Sequence, residues 1–178
     1  SSRSVLSEHA AVEMKNKILA SEEELTLVTI GPLTNVALML SMYPEVKENI
    51  AEIVIMGGST IAGNTNSSAE FNIKVDPHAA QMVLNSELPL TIFDLRVTTR
   101  AILDKKDIEE IRSLGEAGKM LYSLFTHYRG GDLEETGLMM HDICTIYYLL
   151  EPEIFDFKKT YLEVAVAGPA AGTTVADL

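Results

Sequence analysis

The sequence predicts an α/β fold, an open and mostly parallel sheet with helices on both faces. Two observations carry this. Largely apolar runs at Leu25–Ile30, Ile50–Met56, Leu88–Leu95 and Tyr161–Ala167 alternate with segments of helical periodicity. The strands are apolar on both faces, the pattern of a parallel sheet covered by helices.

The elements follow in order. Ser4–Ala20 places Leu6, Ala10, Met14 and Ile18 four apart, as an amphipathic helix does. Leu25–Ile30 (LTLVTI) reads as a buried strand ended by Gly31-Pro32, and Pro32 suits the first turn of the helix that continues over Asn35–Met42. Pro44–Asn49 is a short polar helix or turn, and Ile50–Met56 is the next strand. A long polar loop then runs to Asp76-Pro77, where Asp76 can cap a helix with Pro77 at its first position. Leu88–Leu95 is another strand. Lys105–Arg112 and Ala117–Tyr128 read as helices broken near Gly115 and Gly118, and Gly130-Gly131-Asp132 opens a loop. Asp142–Leu150 is a helix closed by Glu151-Pro152, and Tyr161–Ala167 is a last strand. Neither an internal repeat nor a linker interrupts the pattern, so residues 1–178 read as a single α/β domain. The chain opens on a helix and stops just past a strand, and the expectation is an incomplete domain, a fragment of a larger one.

Composition narrows the function. With 178 residues the chain can bury a substantial core. A net charge of −12 without any basic cluster argues against binding nucleic acid. The lone Cys144 excludes an internal disulfide and a thiolate metal cage. No apolar run approaches the roughly 18 residues of a membrane span, and the N-terminal stretch lacks the apolar centre of a signal peptide. The expected location is cytoplasmic.

The chemistry-bearing residues concentrate in Met56–Ala80, which carries Gly57-Gly58 and then Asn64, Asn66, Glu70 and Asn72. Ligands of open parallel sheets bind beyond the carboxyl ends of the strands, where Ile30-Gly31-Pro32 and Met56-Gly57-Gly58 fall. Taken alone, those glycines are ordinary turn residues. If Glu70–Val75 is extended, Glu70 and Asn72 share one face, and an acid beside an amide suits vicinal hydroxyls. The same pattern also describes a solvated edge strand. His141-Asp142 has three readings: Asp142 as a helix cap, the commonest use of such a residue; Asp142 as a hard-metal ligand; and His141 as a proton donor. Cys144 fits a buried inert thiol better than a nucleophile. His9, His78 and His127 lack ligand spacing and read as surface or packing residues. Dinucleotide, phosphate-loop and G-x-S-x-G nucleophile motifs are absent.

Together these segments resemble a known family. GPLTNVAL at Gly31–Leu38, IVIMGG at Ile53–Gly58, Gly63-Asn64, AEFNIKVDPHAA at Ala69–Ala80 and His141-Asp142 occur in the order and spacing of the inosine-uridine preferring nucleoside hydrolases. The resemblance implies cleavage of the N-glycosidic bond of ribonucleosides by water, giving ribose and free base, with a bound calcium ion as cofactor. It implies that Asn64, Glu70 and Asn72 hold ribose hydroxyls and that Met56 lines the sugar pocket. Asp142, through its carboxylate, and Ile30, through its main-chain carbonyl, would be calcium ligands. His141 would protonate the departing base, and the region His127–Met140 would take part in base preference. Family members often form dimers or tetramers, so a homodimer or homotetramer is expected. The family's aspartate cluster of the type D-x-D-P-G-x-D-D is not in this sequence, and Asp94, Asp104 and Asp107 do not sit in a matching context. The expectation is that the chain alone is inactive and binds calcium poorly. The alternative is a catalytically silent ribose- or nucleoside-binding module, or an oligomerising one.

Overall fold

The structure is a computed structural model that describes residues 7–128 and 131–177. Its centre is a three-stranded parallel sheet in the order β1 (Leu25–Thr29), β2 (Ile50–Met56), β3 (Leu90–Phe93). The register pairs Val28 with Val54 and Thr29 with Ile55, then Ile53 with Leu90 and Met56 with Phe93. Successive side chains of β2 point to opposite faces. Ile53 and Ile55 therefore join one core cluster, and Val54 joins another.

The first cluster packs α1 (Ala10–Leu19), α2 (Thr34–Met42) and α4 (Pro77–Leu84) on one face, through Ala11, Ile18, Val36, Met39, Ala80 and Val83. On the other face α8 (Ile143–Leu150) lays Cys144 and Tyr148 against Val54 and Phe93. Phe93 meets Phe155 edge-on at 5.0 Å between ring centroids, a favoured aromatic geometry. The expected open sheet with helices on both faces is thus present.

Several expected boundaries move for physical reasons. Within Ser4–Ala20, helix begins only at Ala10, with the His9 side chain accepting from the Ala11 amide; Ser4–Leu6 lie outside the described residues. Pro32 precedes the N-cap residue Leu33 rather than entering α2. β1 is half-exposed, since it pairs only with β2 among the described residues. Glu70–Val75 is not extended. Glu70 is the N-cap of a short helix, α3 (Phe71–Val75), and accepts from the amides of Asn72 and Ile73.

Beyond β3, α5 (Leu95–Thr98) leads to β4 (Ile102–Leu103) and α6 (Lys105–Arg112). The capping box of α6 uses Asp104 and Asp107. α7 runs over Gly115–Phe125 and contains Gly118 rather than breaking there. A Cβ at Gly118 would stand 2.0 Å from the Ile111 carbonyl oxygen, so the glycine lets α7 close on α6. The Gly131-Asp132 part of the expected loop is β5 (Gly131–Asp132), which pairs antiparallel with β6 (Gly137–Met139), in turn paired with β4; Gly130 lies outside the described residues.

The expected last strand shortens to β7 (Leu162–Val164). It does not join the parallel sheet but forms a hairpin with β8 (Thr174–Ala176). This hairpin docks on the central loop and on α3 and α4. The Val164 amide donates to Gln81 Oε1 at 2.7 Å, Lys74 Nζ donates to the Ala171 carbonyl at 2.7 Å, and Ser68 and Thr173 share a hydroxyl contact of 2.7 Å. Gly58, at φ +79°, lies so close that a Cβ there would stand 2.7 Å from Thr174 Oγ1. That hydroxyl oxygen is buried without a partner among the described residues.

Two outcomes test this packing. Gly58→Ala meets both an unfavourable backbone conformation and the Thr174 hydroxyl, and should lower the urea midpoint by the equivalent of about 1–3 kcal/mol; an unchanged midpoint would contradict the docked hairpin. Asp76 accepts from the Ala79 amide at 3.0 Å and from the Thr34 hydroxyl at 2.7 Å, tying the start of α2 to the start of α4. The cap bond and then the Thr34 bond hold its carboxyl below the ordinary 3.8. A depressed folded-state pKa means stability present above 3.8 and lost as pH falls through the lowered value. Asp76→Ala should therefore cost about 1 kcal/mol at neutral pH, with the gap in Tm from the unaltered protein closing in acid. A gap that persists undiminished there would overturn the ionised cap.

Candidate active-site cleft

β1 and β2 end side by side, and the chain beyond them builds one wall of an open cleft of about 370 Å³. Ile30 follows β1, Met56 ends β2, and Asn64, Glu70 and Asn72 come from the central loop and α3. The opposite wall is His141 and Asp142, immediately before α8. The structure thus gathers into one concavity all seven residues to which the family resemblance gives a role.

The central loop is held by Glu70, whose side chain is 2% exposed. Oε1 accepts from the Asn72 amide at 2.8 Å, and Oε2 accepts from the Gly58 amide at 3.0 Å and the Ile73 amide at 3.3 Å. Glu70 lines the cleft, and its carboxylate is the clamp that joins the end of β2 to α3. Asn72 Nδ2 donates to the Met56 carbonyl at 3.0 Å, which leaves Oδ1 without a protein partner among the described residues. Asn64 is oriented the other way. Its Oδ1 accepts from the Phe71 amide at 2.9 Å, leaving the NH₂ group for a ligand. The wall therefore offers an amide donor at Asn64 and an amide acceptor at Asn72, with the Glu70 carboxylate between them in sequence. Asn66 is not part of the cleft lining; its Oδ1 takes the amides of Ser68 and Ala69 and shapes the loop.

On the opposite wall, His141 Nδ1 lies 2.8 Å from the hydroxyl oxygen of Thr98, and Nε2 has no protein partner among the described residues. Asp142 occupies the cap position of α8 with helical backbone angles (φ −69°, ψ −29°), and its side chain makes no capping bond. The capping role expected of it is thus not filled, and the carboxylate remains available. Desolvation raises its pKa, against the opposing pull of neighbouring His141. Burial likewise pushes the Cys144 thiol up, as suits an inert packing residue.

Calcium takes about six to eight oxygen ligands. Toward the cleft this chain offers the Asp142 carboxylate and the carbonyl of Ile30. Among the described residues, no three His, Cys, Asp or Glu side chains cluster to hold a metal ion. These two donors alone do not fit a calcium ion. Asp94, Asp104 and Asp107 cap helices, and Asp94 also anchors Thr60 of the central loop through its amide at 2.9 Å.

Sequence reasoning missed four further lining residues, Phe71, Tyr128, Met140 and Ile143. Phe71 sits on the far face only if Glu70–Val75 is a strand; as the first residue of α3 it turns into the cleft. Tyr128 and Met140 belong to the region His127–Met140, in which no single residue carries a motif. Among the described residues, no lysine or arginine lines the cleft. Among the described residues, no helix is long and apolar enough to cross a membrane.

Comparison with known proteins places this arrangement. Residues 2–178 match the sequence model described as inosine-uridine preferring nucleoside hydrolase. The non-specific ribonucleoside hydrolase RihC of Salmonella newport is 44% identical over 177 residues, which cover 99% of this chain and 58% of that protein. The structure of a purine-preferring ribonucleoside hydrolase from Gardnerella vaginalis matches with a TM-score of 0.89 at 32% identity, over 100% of this chain and 58% of its own. A plant nucleoside hydrolase matches with a TM-score of 0.89 at 26% identity, over 99% of this chain and 57% of its own. The chain spans 58% of the length of the curated relatives it matches. With a family match across nearly its whole length, the chain belongs to the inosine-uridine preferring nucleoside hydrolases.

Proposed function

We propose that this chain supplies the ribose-holding wall and the leaving-base wall of a nucleoside N-ribohydrolase, which splits a ribonucleoside with water into ribose and free base. The observation that supports this most is the convergence of Met56, Asn64, Glu70 and Asn72 on the same cleft as His141 and Asp142. The free amide NH₂ of Asn64 and the free Oδ1 of Asn72 complement ribose hydroxyls, which both donate and accept. Loss of the base leaves an oxocarbenium-like sugar, as in other glycoside hydrolysis, and the Glu70 carboxylate, fixed by backbone amides, favours that charge. His141 Nε2 meets the departing base with the hydrogen it needs to leave. The two carboxylates in the lining, Glu70 and Asp142, suit an uncharged nucleoside better than a phosphorylated one.

Among the described residues the expected calcium ion finds only the Asp142 carboxylate and the Ile30 carbonyl, so no step of this reading passes through a metal. That same shortage favours a second reading, a nucleoside-binding module without turnover. A homodimer or homotetramer remains part of the proposal as a family expectation, and a cytoplasmic location as an expectation from the sequence.

The test is ribose release from inosine and uridine, measured beside nucleoside binding, for a protein carrying this chain and for its Asn72→Ala variant. Asn72→Ala should weaken ribonucleoside binding roughly tenfold, the size of one lost hydrogen-bonding group. A variant that binds as tightly as the parent removes the ribose assignment. Binding without ribose release selects the second reading.

A further inference from the structure

We propose that Thr98 is a positioning residue for His141. Its buried hydroxyl fixes the imidazole so that Nε2, the nitrogen left without a protein partner among the described residues, always bears hydrogen. The functional weight of this inference rests on the reading of His141 given above; the geometry does not.

Thr98 ends α5 and is 0% exposed. The next residue, Thr99, turns its hydroxyl back onto its own helix and donates to the Leu95 carbonyl at 2.6 Å. Thr98 makes no such bond. The partner of its Oγ1 among the described residues is His141 Nδ1, at 2.8 Å. A buried hydroxyl with no acceptor is costly, so when the ring is neutral the Thr98 hydrogen goes to Nδ1. Which nitrogen of a neutral histidine holds the proton is set by the bond the other nitrogen makes. The neutral ring is then the Nε2–H tautomer. When the ring is cationic both nitrogens carry hydrogen, and Thr98 Oγ1 accepts from Nδ1–H instead. In neither state does Nε2 turn a lone pair toward a departing base.

The pairing is built into the backbone. The Met140 amide donates to the Ala101 carbonyl at 2.8 Å, and Ile102 of β4 pairs with Met139 of β6, which sets His141 alongside the end of α5. α5 is anchored in turn. Asp94 caps it through the Arg96 amide at 3.0 Å, and the Leu95 amide donates to the Gly58 carbonyl at 3.1 Å. The histidine wall and the ribose wall thus meet through Gly58, whose amide is held by Glu70. No motif points to Thr98; its role follows from burial together with a single hydroxyl partner.

The experiment is ¹⁵N–¹H correlation of histidine side chains in the substrate-free protein, recorded at alkaline pH. The chain has four histidines, so a His141→Gln spectrum assigns the signal. The unaltered protein should show an unprotonated, hydrogen-bonded Nδ1 and a protonated Nε2 at His141. Thr98→Val should move both nitrogens toward the averaged shifts of an exchanging ring while His9, His78 and His127 stay in place, and Thr98→Ser should restore the original pattern. In a turnover assay, Thr98→Val should lower kcat roughly tenfold or more with KM little changed. A protonated Nδ1 in the unaltered protein overturns the proposal, and so does an unmoved pattern in Thr98→Val. Should Thr98→Val not fold, the spectrum of the unaltered protein still decides. Because the spectra need no substrate, failure of the hydrolase reading leaves the tautomer result standing, and the converse also holds.

Discussion

One buried carboxylate organises the molecule. Glu70 accepts hydrogen bonds from the amides of Gly58, Asn72 and Ile73, and so welds the turn after β2 to the first turn of α3. A buried carboxylate without partners would be strongly destabilising, whereas hydrogen bonds to a charged acceptor are among the stronger ones in a protein. The clamp fixes where Asn72 stands, and Asn72 then bonds the Met56 carbonyl. Asn64 reaches across to the Phe71 amide and closes the loop on itself. Asn64 and Asn72 thus each spend one half of the side-chain amide on the fold, and the other half has no protein partner among the described residues.

The remainder of the chain supports this clamp from outside. The β7–β8 hairpin lies over Gly58 and Lys74, and α5 ties its Leu95 amide to the Gly58 carbonyl. Gly58 is therefore the point where the sheet, the Glu70–Asn72 wall, the hairpin and the histidine wall come together, at a φ of +79° and against the Thr174 hydroxyl, where a residue without a Cβ fits best. The long-range hydrogen bonds that shape the cleft involve polar loop residues, while the two apolar clusters hold the sheet that carries them.

Much of this was legible in the sequence where a local physical signal exists. The apolar run Ile50–Met56, the Asp76-Pro77 start of α4 and the Lys105–Arg112 helix are all found as read. The misreadings have specific causes. Glu70–Val75 alternates polar and apolar, a pattern that a five-residue helix satisfies as well as a strand, and glutamate is not among the favoured capping residues that announce a helix. β4, β5 and β6 are two or three residues long, too short for any periodicity to show. Gly118 reads as a breaker because sequence shows only the missing side chain and not Ile111, which the missing side chain lets approach. The residues that line the cleft together were picked out through motif spacing and not through local propensity. Those that act by tertiary contact alone, Thr98 and Phe71 above all, left no mark in the sequence.

The most direct test of this account is amide hydrogen exchange in the Glu70→Gln variant. Replacing one acceptor oxygen by an NH₂ group leaves the shape of the side chain but faces a donor with a donor. The account predicts that protection of the Gly58, Asn72 and Ile73 amides falls sharply while the amides of β2 keep theirs. Full protection of those three amides in Glu70→Gln would contradict it, since the loop would then be held by something other than the carboxylate.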